Sequence, residues 1–419
     1  MDYDVIVVGA RVAGATTAML LARRGLRVLV VDRVAFPSDT ISSHQIQVPG
    51  VARLRRWGLL EAVRAAGTPP TRRLRFDAGE VVLDGSFPPF EGADALYSPR
   101  RTLLDAALVD AARSAGADVR ENFRVEELVW SEGRVVGVRG RERLGSSVAL
   151  RARIVVGADG KNSFVASAVG ARTYRQRPVR AFACYTYFSG LPVTAGEVYR
   201  RRGRLVAVFP TNDDLTMVYL SEPLSGFEVF RRDIEKHYLA ALDGCGDLGG
   251  RAREARREER LRTTPDQPNR FRLPHGPGWA LVGDAGVVMD SVSAQGITNA
   301  LRDADLLAEA LSAELDGVPS LAAYHRGATA PSGRCTTTPS GWPGTRPASP
   351  NGCCTPQSPT VPPRSRASSV SSRAPSRPTP ISTPRPCCES SAPPGGQEAL
   401  AAPGPRGVGG RVVTGRCGQ

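Results

Sequence analysis

Apolar positions fall into blocks along the chain, each with its own rhythm. "YDVIVV", residues 3–8, is an apolar run fit for a buried parallel strand. "ATTAMLLARRG" follows with helix formers, an apolar face and a closing glycine, Gly25. "LRVLVVD" reads as a second buried strand ending in Asp32. In "YSPRRTLLDAALVDAARSAG", residues 97–116, Leu104, Ala107, Leu108 and Ala111 recur at helical spacing, and Gly116 closes the helix. "ADVRENFRVEELVW" and "GRVVGVRG" read as strands, and "RIVVGAD" as a buried strand with Asp159-Gly160 just past its end. "RAFACYTYFSG", "RLVAVFP" and "DLTMVYL" read as strands of another sheet. "FEVFRRDIEKHYLAAL" and "REARREERLR" read as helices. "WALVGDAG" is a strand ending in Gly283-Asp284, and a long helix follows with Leu301, Asp305/Leu306, Ala308 and Leu311 at turn spacing.

These blocks predict an α/β fold. One Rossmann-like nucleotide domain, a parallel sheet with helices, is assembled from three segments: 1–50, 96–180 and 276–326. Residues 51–95 form a substrate-side insertion, and 181–275 a β-rich domain whose sheet is the natural wall of a substrate cavity. Residues 327–419 are a low-complexity tail.

The first turn carries the chemistry. Gly9 allows the tight bend, and Gly14 lets the helix pack close to the sheet. Asp32 stands 18 residues past Gly14, near the spacing of a ribose-binding carboxylate. Arg11 occupies the place of the middle glycine, so its side chain must point away from the phosphates or along them. Gly9, Arg11, Val12, Ala13 and Gly14 are the candidate phosphate contacts. A ligand-free strand–turn–helix is the alternative. "AQGITN", at the start of the last helix, is rich in backbone donors able to hold an anion or polarise an electron-rich ring.

Composition changes the picture in two places. The formal charge of +14 is concentrated at the end: from Gly327 on there are ten Arg, no Lys and two Glu. The rest is only mildly basic and does not call for a nucleic-acid partner. The last 93 residues also hold 18 of the 34 prolines and six of the eight cysteines, with no Phe or Tyr. Such a segment is expected to be disordered and dispensable for cofactor binding, with a limit at Arg326. A reading-frame shift in a GC-rich gene would produce it; a genuine extension is the alternative. No apolar stretch is long enough to span a membrane, and no basic leader precedes the first strand, so a cytosolic location is expected. Four scattered histidines, with Cys184 and Cys245, give no metal spacing.

The order of motifs, "VVGARVAGATTAML", then "GADGKNSFVA", then "LVGDAG…QGITNALRDA", resembles the FAD-dependent oxidoreductases of the aromatic hydroxylase fold. Within them it is similar to the branch of geranylgeranyl reductases and flavin-dependent halogenases, over roughly residues 3–326. The resemblance implies FAD, with NADH or NADPH as a visiting reductant. It implies that Asp32 meets the adenosine ribose and that Arg33 flanks the adenine. Arg101 would reach toward the cofactor, and Asp159 and Gly160 would serve structural and cofactor-facing roles. Gly283-Asp284 would meet the ribityl chain, and Gln295, Gly296, Ile297 and Thr298 would line the flavin pyrimidine edge. Ala166 and Met289-Asp290 depart from the hydroxylase pattern, and the absence of W-x-W-x-I-P argues against halogenation.

His44, in "SDTISSHQI", is the candidate catalytic residue: the same region of the resembled fold approaches the isoalloxazine, and a histidine there can move a proton near neutral pH, with a loop-stabilising histidine as the alternative. The expected activity is that of a monooxygenase or reductase on an apolar, aromatic or isoprenoid-like small molecule. The alternative is an FAD-binding protein whose turnover is impaired because its native C-terminal segment is replaced. Oligomeric state is left open.

Overall fold

A computed structural model describes residues 2–142 and 145–329. Nearly all of the predicted tail lies outside the described residues.

Five parallel strands run through the eight-stranded first sheet, in the order Trp279–Leu281, Val148–Gly157, Tyr3–Val8, Val28–Val31, Asp118–Arg120, with the short His275–Gly276 strand antiparallel at the Trp279–Leu281 edge. The N-terminal, middle and late segments therefore meet in one sheet, as the blocks predict. An antiparallel hairpin, Phe123–Ser131 with Arg134–Glu142, extends the early half of the Val148–Gly157 strand. Helices Val12–Ala22, Arg101–Ser114 and Gly296–Leu315 cover one face. The buried line of the last helix runs through Leu301, Ala304, Ala308 and Leu311. Asp305, one residue off this line, instead pairs with Arg53 and Arg56.

The second sheet draws on two insertions. Ala181–Ser189, Thr216–Pro223, Arg204–Pro210 and Gly196–Arg201 pair in that order. Arg73–Asp77 and Val82–Ser86, from the earlier insertion, complete it through a parallel pairing with Gly196–Arg201. Strand alternation gives this sheet two buried faces. Phe182, Cys184 and Phe188 pack with Phe230, Tyr238 and Leu242 of the covering helices. Tyr185 and Tyr187 join Phe209, Met217 and Tyr219 on the other face.

Two expectations need correction. "REARREERLR" is not a helix throughout: Leu248–Glu254 is helical, but Arg256–Arg257 and Arg262–Thr264 are strands. Both add to the Ala181–Ser189 strand, whose free edge offers backbone partners that outweigh local helix propensity. The folded body also passes Arg326. The helix Leu321–Thr329 continues through Gly327, buries Ala328, and receives a bond from Arg302 Nη2 to the Ala328 carbonyl at 2.7 Å. The composition shift begins before the helix ends.

Candidate functional site

Three motifs converge at the C-terminal edge of the parallel sheet, and close backbone approaches show it. Gly9 has φ +102°, and a Cβ there would lie 2.6 Å from the Ala158 carbonyl oxygen, next to Asp159. A Cβ on Gly14 would lie 1.8 Å from the Gly9 oxygen, so the helix can seat on its strand only as glycine. Gly283, φ +61°, approaches Ala13, where a Cβ would stand 2.8 Å from the alanine methyl. The fingerprint thus touches both the Asp159-Gly160 and the Gly283-Asp284 motifs.

The carboxylates divide their labour. Asp32 is buried; Oδ2 accepts from the Ala10 amide at 2.7 Å and Oδ1 from the Val34 amide at 3.1 Å. It therefore shapes the fingerprint turn while retaining further lone pairs. Arg33 beside it is exposed. Asp159 accepts from Ser163 Oγ and from the Val165 amide, holding the start of the Phe164–Ala168 helix. Gly160 follows with φ +81°. Burial raises the Asp159 carboxyl, and these hydrogen bonds oppose the rise. Asp284 differs: it is exposed at one side, while the surrounding protein desolvates its carboxyl and pushes it up to about 6 against the opposing field of Arg101. The long helix, whose Ala300 faces Gly283, opens at Gly296 with Gln295 as its cap residue and no side-chain cap. A Cβ on Gly296 would meet open space. Ile297 and Thr298 are buried, and Thr298 Oγ1 accepts from the Gln47 amide at 2.9 Å.

Backbone donors, an accessible carboxylate and an uncapped helix start gather at one edge of the sheet; these are features a dinucleotide with a long second half requires. A model of the FAD binding domain matches residues 2–332. The chain belongs to the FAD binding domain family. Digeranylgeranylglycerophospholipid reductase 1 of Methanococcoides burtonii is 27% identical over 337 residues, covering 75% of each chain. The 2,4-dichlorophenol 6-monooxygenase of Delftia acidovorans is 30% identical over 185 residues, 41% of this chain and 32% of its own. A myxobacterial chondrochloren halogenase, an FAD-dependent halogenase, shares the fold with TM-score 0.70 and 27% identity over 78% of both chains. A probable FAD-dependent monooxygenase of Pseudomonas aeruginosa matches in fold, TM-score 0.65 at 22% identity, over 78% of this chain and 91% of its own.

In this FAD-binding chain, Arg11 points away from the fingerprint. Its Nη1 reaches Asp105 Oδ2 at 2.6 Å, and its Nη2 reaches Ser38 Oγ at 2.9 Å and the Asp39 carbonyl at 3.2 Å. Arg101 does not extend freely either: Asp105 holds it one helical turn on, through Nε at 3.1 Å and Nη2 at 2.9 Å.

The junction with the second sheet is built from side chains. His44 is fully buried, has φ +57°, and hydrogen-bonds through Nε2 to the Tyr187 hydroxyl. Its ring stacks on Tyr187 and meets Tyr185 edge-on. Its Nδ1 is buried without a hydrogen-bond partner. Arg100 lies over the Tyr187 ring, 4.1 Å from its centre, and pairs with Glu259, which also binds Arg262. Burial, with the fields of Arg101, Arg100 and Arg262, pushes His44 down to about 3. The imidazole is therefore neutral near pH 7, and its Nε2 is engaged by Tyr187. Burial drives the Tyr187 hydroxyl upward, so it too stays protonated.

Asp105, Arg100, Tyr185, Tyr187, Glu259 and Arg262 escaped the sequence reading. Arg101 and Asp105 carried a signal, since i and i+4 share a helix face. The others meet only through tertiary contact. Among the described residues, no group of three or more His, Cys, Asp or Glu is placed to hold a metal, and no helix is long and apolar enough to cross a membrane.

Proposed function

We propose that the chain is an NAD(P)H-dependent FAD oxidoreductase, a monooxygenase or a reductase, acting on an apolar aromatic or isoprenoid-like small molecule in the cytosol. The observation that carries this reading is the convergence of three motifs: Gly9 packs on Ala158 beside Asp159, Gly283 packs on Ala13, and Asp284 and Gly296 stay exposed at the same sheet edge. The relatives named for a glycerophospholipid with isoprenoid chains and for a chlorophenol support the substrate class. So does the second sheet's face of Tyr185, Tyr187, Phe209, Met217 and Tyr219, which reaches the cofactor side through Tyr187–His44 and Tyr219–Ser291.

The assignments follow the sheet edge. Asp32 takes the adenosine ribose with the lone pairs left by Ala10 and Val34, and Arg33 flanks the adenine. The amides of Val12, Ala13 and Gly14 meet the pyrophosphate beside Gly9, with Arg11 drawn aside. Asp159 and Gly160 brace the floor, and Gly283 and Asp284 take the ribityl chain next to Arg101. Gln295, Gly296, Ile297 and Thr298 present the positive end of the long helix to the ring edge, where it stabilises negative charge. Bound FAD would supply two-electron chemistry between a nicotinamide donor and either oxygen or a double bond. The aromatic junction excludes water from that exchange, and neutral His44 fixes Tyr187 in its wall.

The test is anaerobic mixing of the purified chain with NADH and with NADPH, followed by air. Bleaching of bound flavin by one donor and its return in oxygen is expected. A flavin-loaded chain that dithionite bleaches but neither nicotinamide does would end the NAD(P)H assignment.

A further inference from the structure

Arg11 stands at the one position of the fingerprint where a side chain threatens the phosphates, and the structure shows what removes the threat. Asp105 is fully buried on the Arg101–Ser114 helix and receives both Arg11 and Arg101. It makes the one ion pair of Arg11 among the described residues. The Ser38 hydroxyl and carbonyl, the Asp39 carbonyl and the Phe36 ring complete a seat for the guanidinium beside the turn. These partners are neutral, so they orient Arg11 without neutralising it.

We propose that Asp105 is a positioning residue of the cofactor site, which draws Arg11 aside and so lets a fingerprint without its middle glycine admit the FAD pyrophosphate. The inference rests on the reading that the phosphates meet the Val12–Gly14 amides. Two guanidiniums converge on Asp105, and without its charge they repel in a poorly solvated site. Arg11 is the more exposed of the two, at 27% against 11% for the side chain, so it is the one free to leave. Its backbone is the cap residue of the fingerprint helix, and its released side chain can fold back over the amides that the phosphates need.

A double-variant cycle in the full-length chain separates this from a plain structural staple. FAD dissociation constants are read from flavin fluorescence, with melting temperature measured alongside in the absence of FAD. Asp105→Ala should weaken FAD by about tenfold or more, Arg11→Gly should change it little, and the double variant should return to within about threefold of the parent. Recovery of affinity without recovery of melting temperature is the signature of positioning. Asp105→Asn and its double variant with Arg11→Gly repeat the cycle in an isosteric background should the alanine variant not fold. A double variant no tighter than Asp105→Ala overturns the proposal. So does an Arg11→Gly chain that loses as much affinity as Asp105→Ala, because Arg11 would then hold the phosphates itself. Unchanged affinity in Asp105→Ala refutes it while leaving the cofactor reading intact; a parent chain that takes up no FAD refutes both.

Discussion

At the fingerprint turn, side chains are absent where the backbone must come close: Gly9, Gly14 and Gly283 each sit where a Cβ would strike a neighbouring segment. At the junction with the second sheet the reverse holds. His44, Tyr185, Tyr187, Arg100, Arg262 and Glu259 fill the space, and their polar groups must find one another. The first region is rigid because nothing else fits; the second is held by a network that is costly when incomplete. A site built from backbone tolerates exchange only where it faces the ligand. A site built from side chains has no such tolerant position.

The largest expected effect breaks the first half of this comparison. Gly14→Val should cost about 3 kcal/mol or more, because the Gly9 oxygen cannot move without the strand. Gly296→Val, at the exposed helix start, should leave stability within about 0.5 kcal/mol yet weaken FAD. Denaturant melts with and without FAD check both. Equal stability losses in the two variants would erase the distinction between packing glycines and ligand-facing ones.

The next effect belongs to the junction. His44 titrates at about 3 when folded, below its ordinary value. Between the two values the unfolded state binds more protons. The contribution of this group is therefore complete above about pH 6.5 and is lost as pH falls toward 3, by about 1.4 kcal/mol per pH unit. His44→Asn keeps a residue that tolerates positive φ and removes the titration. The stability difference between parent and variant should shrink steadily from pH 6.5 to 4.5. A constant difference over that range would mean that His44 is not held neutral by its surroundings.

Asp284 works in the opposite sense. Its carboxyl is raised to about 6, so the stability it contributes is present at low pH and lost as pH rises from the ordinary carboxylate range through 6. Solvent at the exposed Asp284 screens the cost, and Asp284→Asn should stabilise the FAD-free chain at pH 8 by about 1 kcal/mol. The same variant should bind FAD less tightly. Thermal melts at pH 5 and pH 8 decide it: a variant less stable at pH 8 would place the carboxylate in a structural role like that of Asp159.

These two regions also mark how far the sequence could be read. The five parallel strands, the fingerprint, the two aspartate motifs and the long helix are local patterns with fixed periods, and they appear where the periods put them. The 51–95 insertion read as substrate-side, but its strand Arg73–Asp77 finds its partner only in the remote Gly196–Arg201. His44 was legible as a residue of interest but not as a neutral one, because its burial, and with it the fields of Arg101, Arg100 and Arg262, comes from residues distant in sequence. Arg11 posed a steric question that the turn alone could not answer; Asp105 answers it from another helix. "REARREERLR" failed because a sheet edge competed with helix propensity.

The proposed site holds a dinucleotide reaching from Gly9 to Gly296. Heat-denaturing the purified full-length chain and identifying and counting the released nucleotide tests it most directly. The account predicts FAD close to one per chain, with Gly296→Val protein folded but depleted in it. Release of NAD with no flavin, or full FAD occupancy in Gly296→Val, would contradict it.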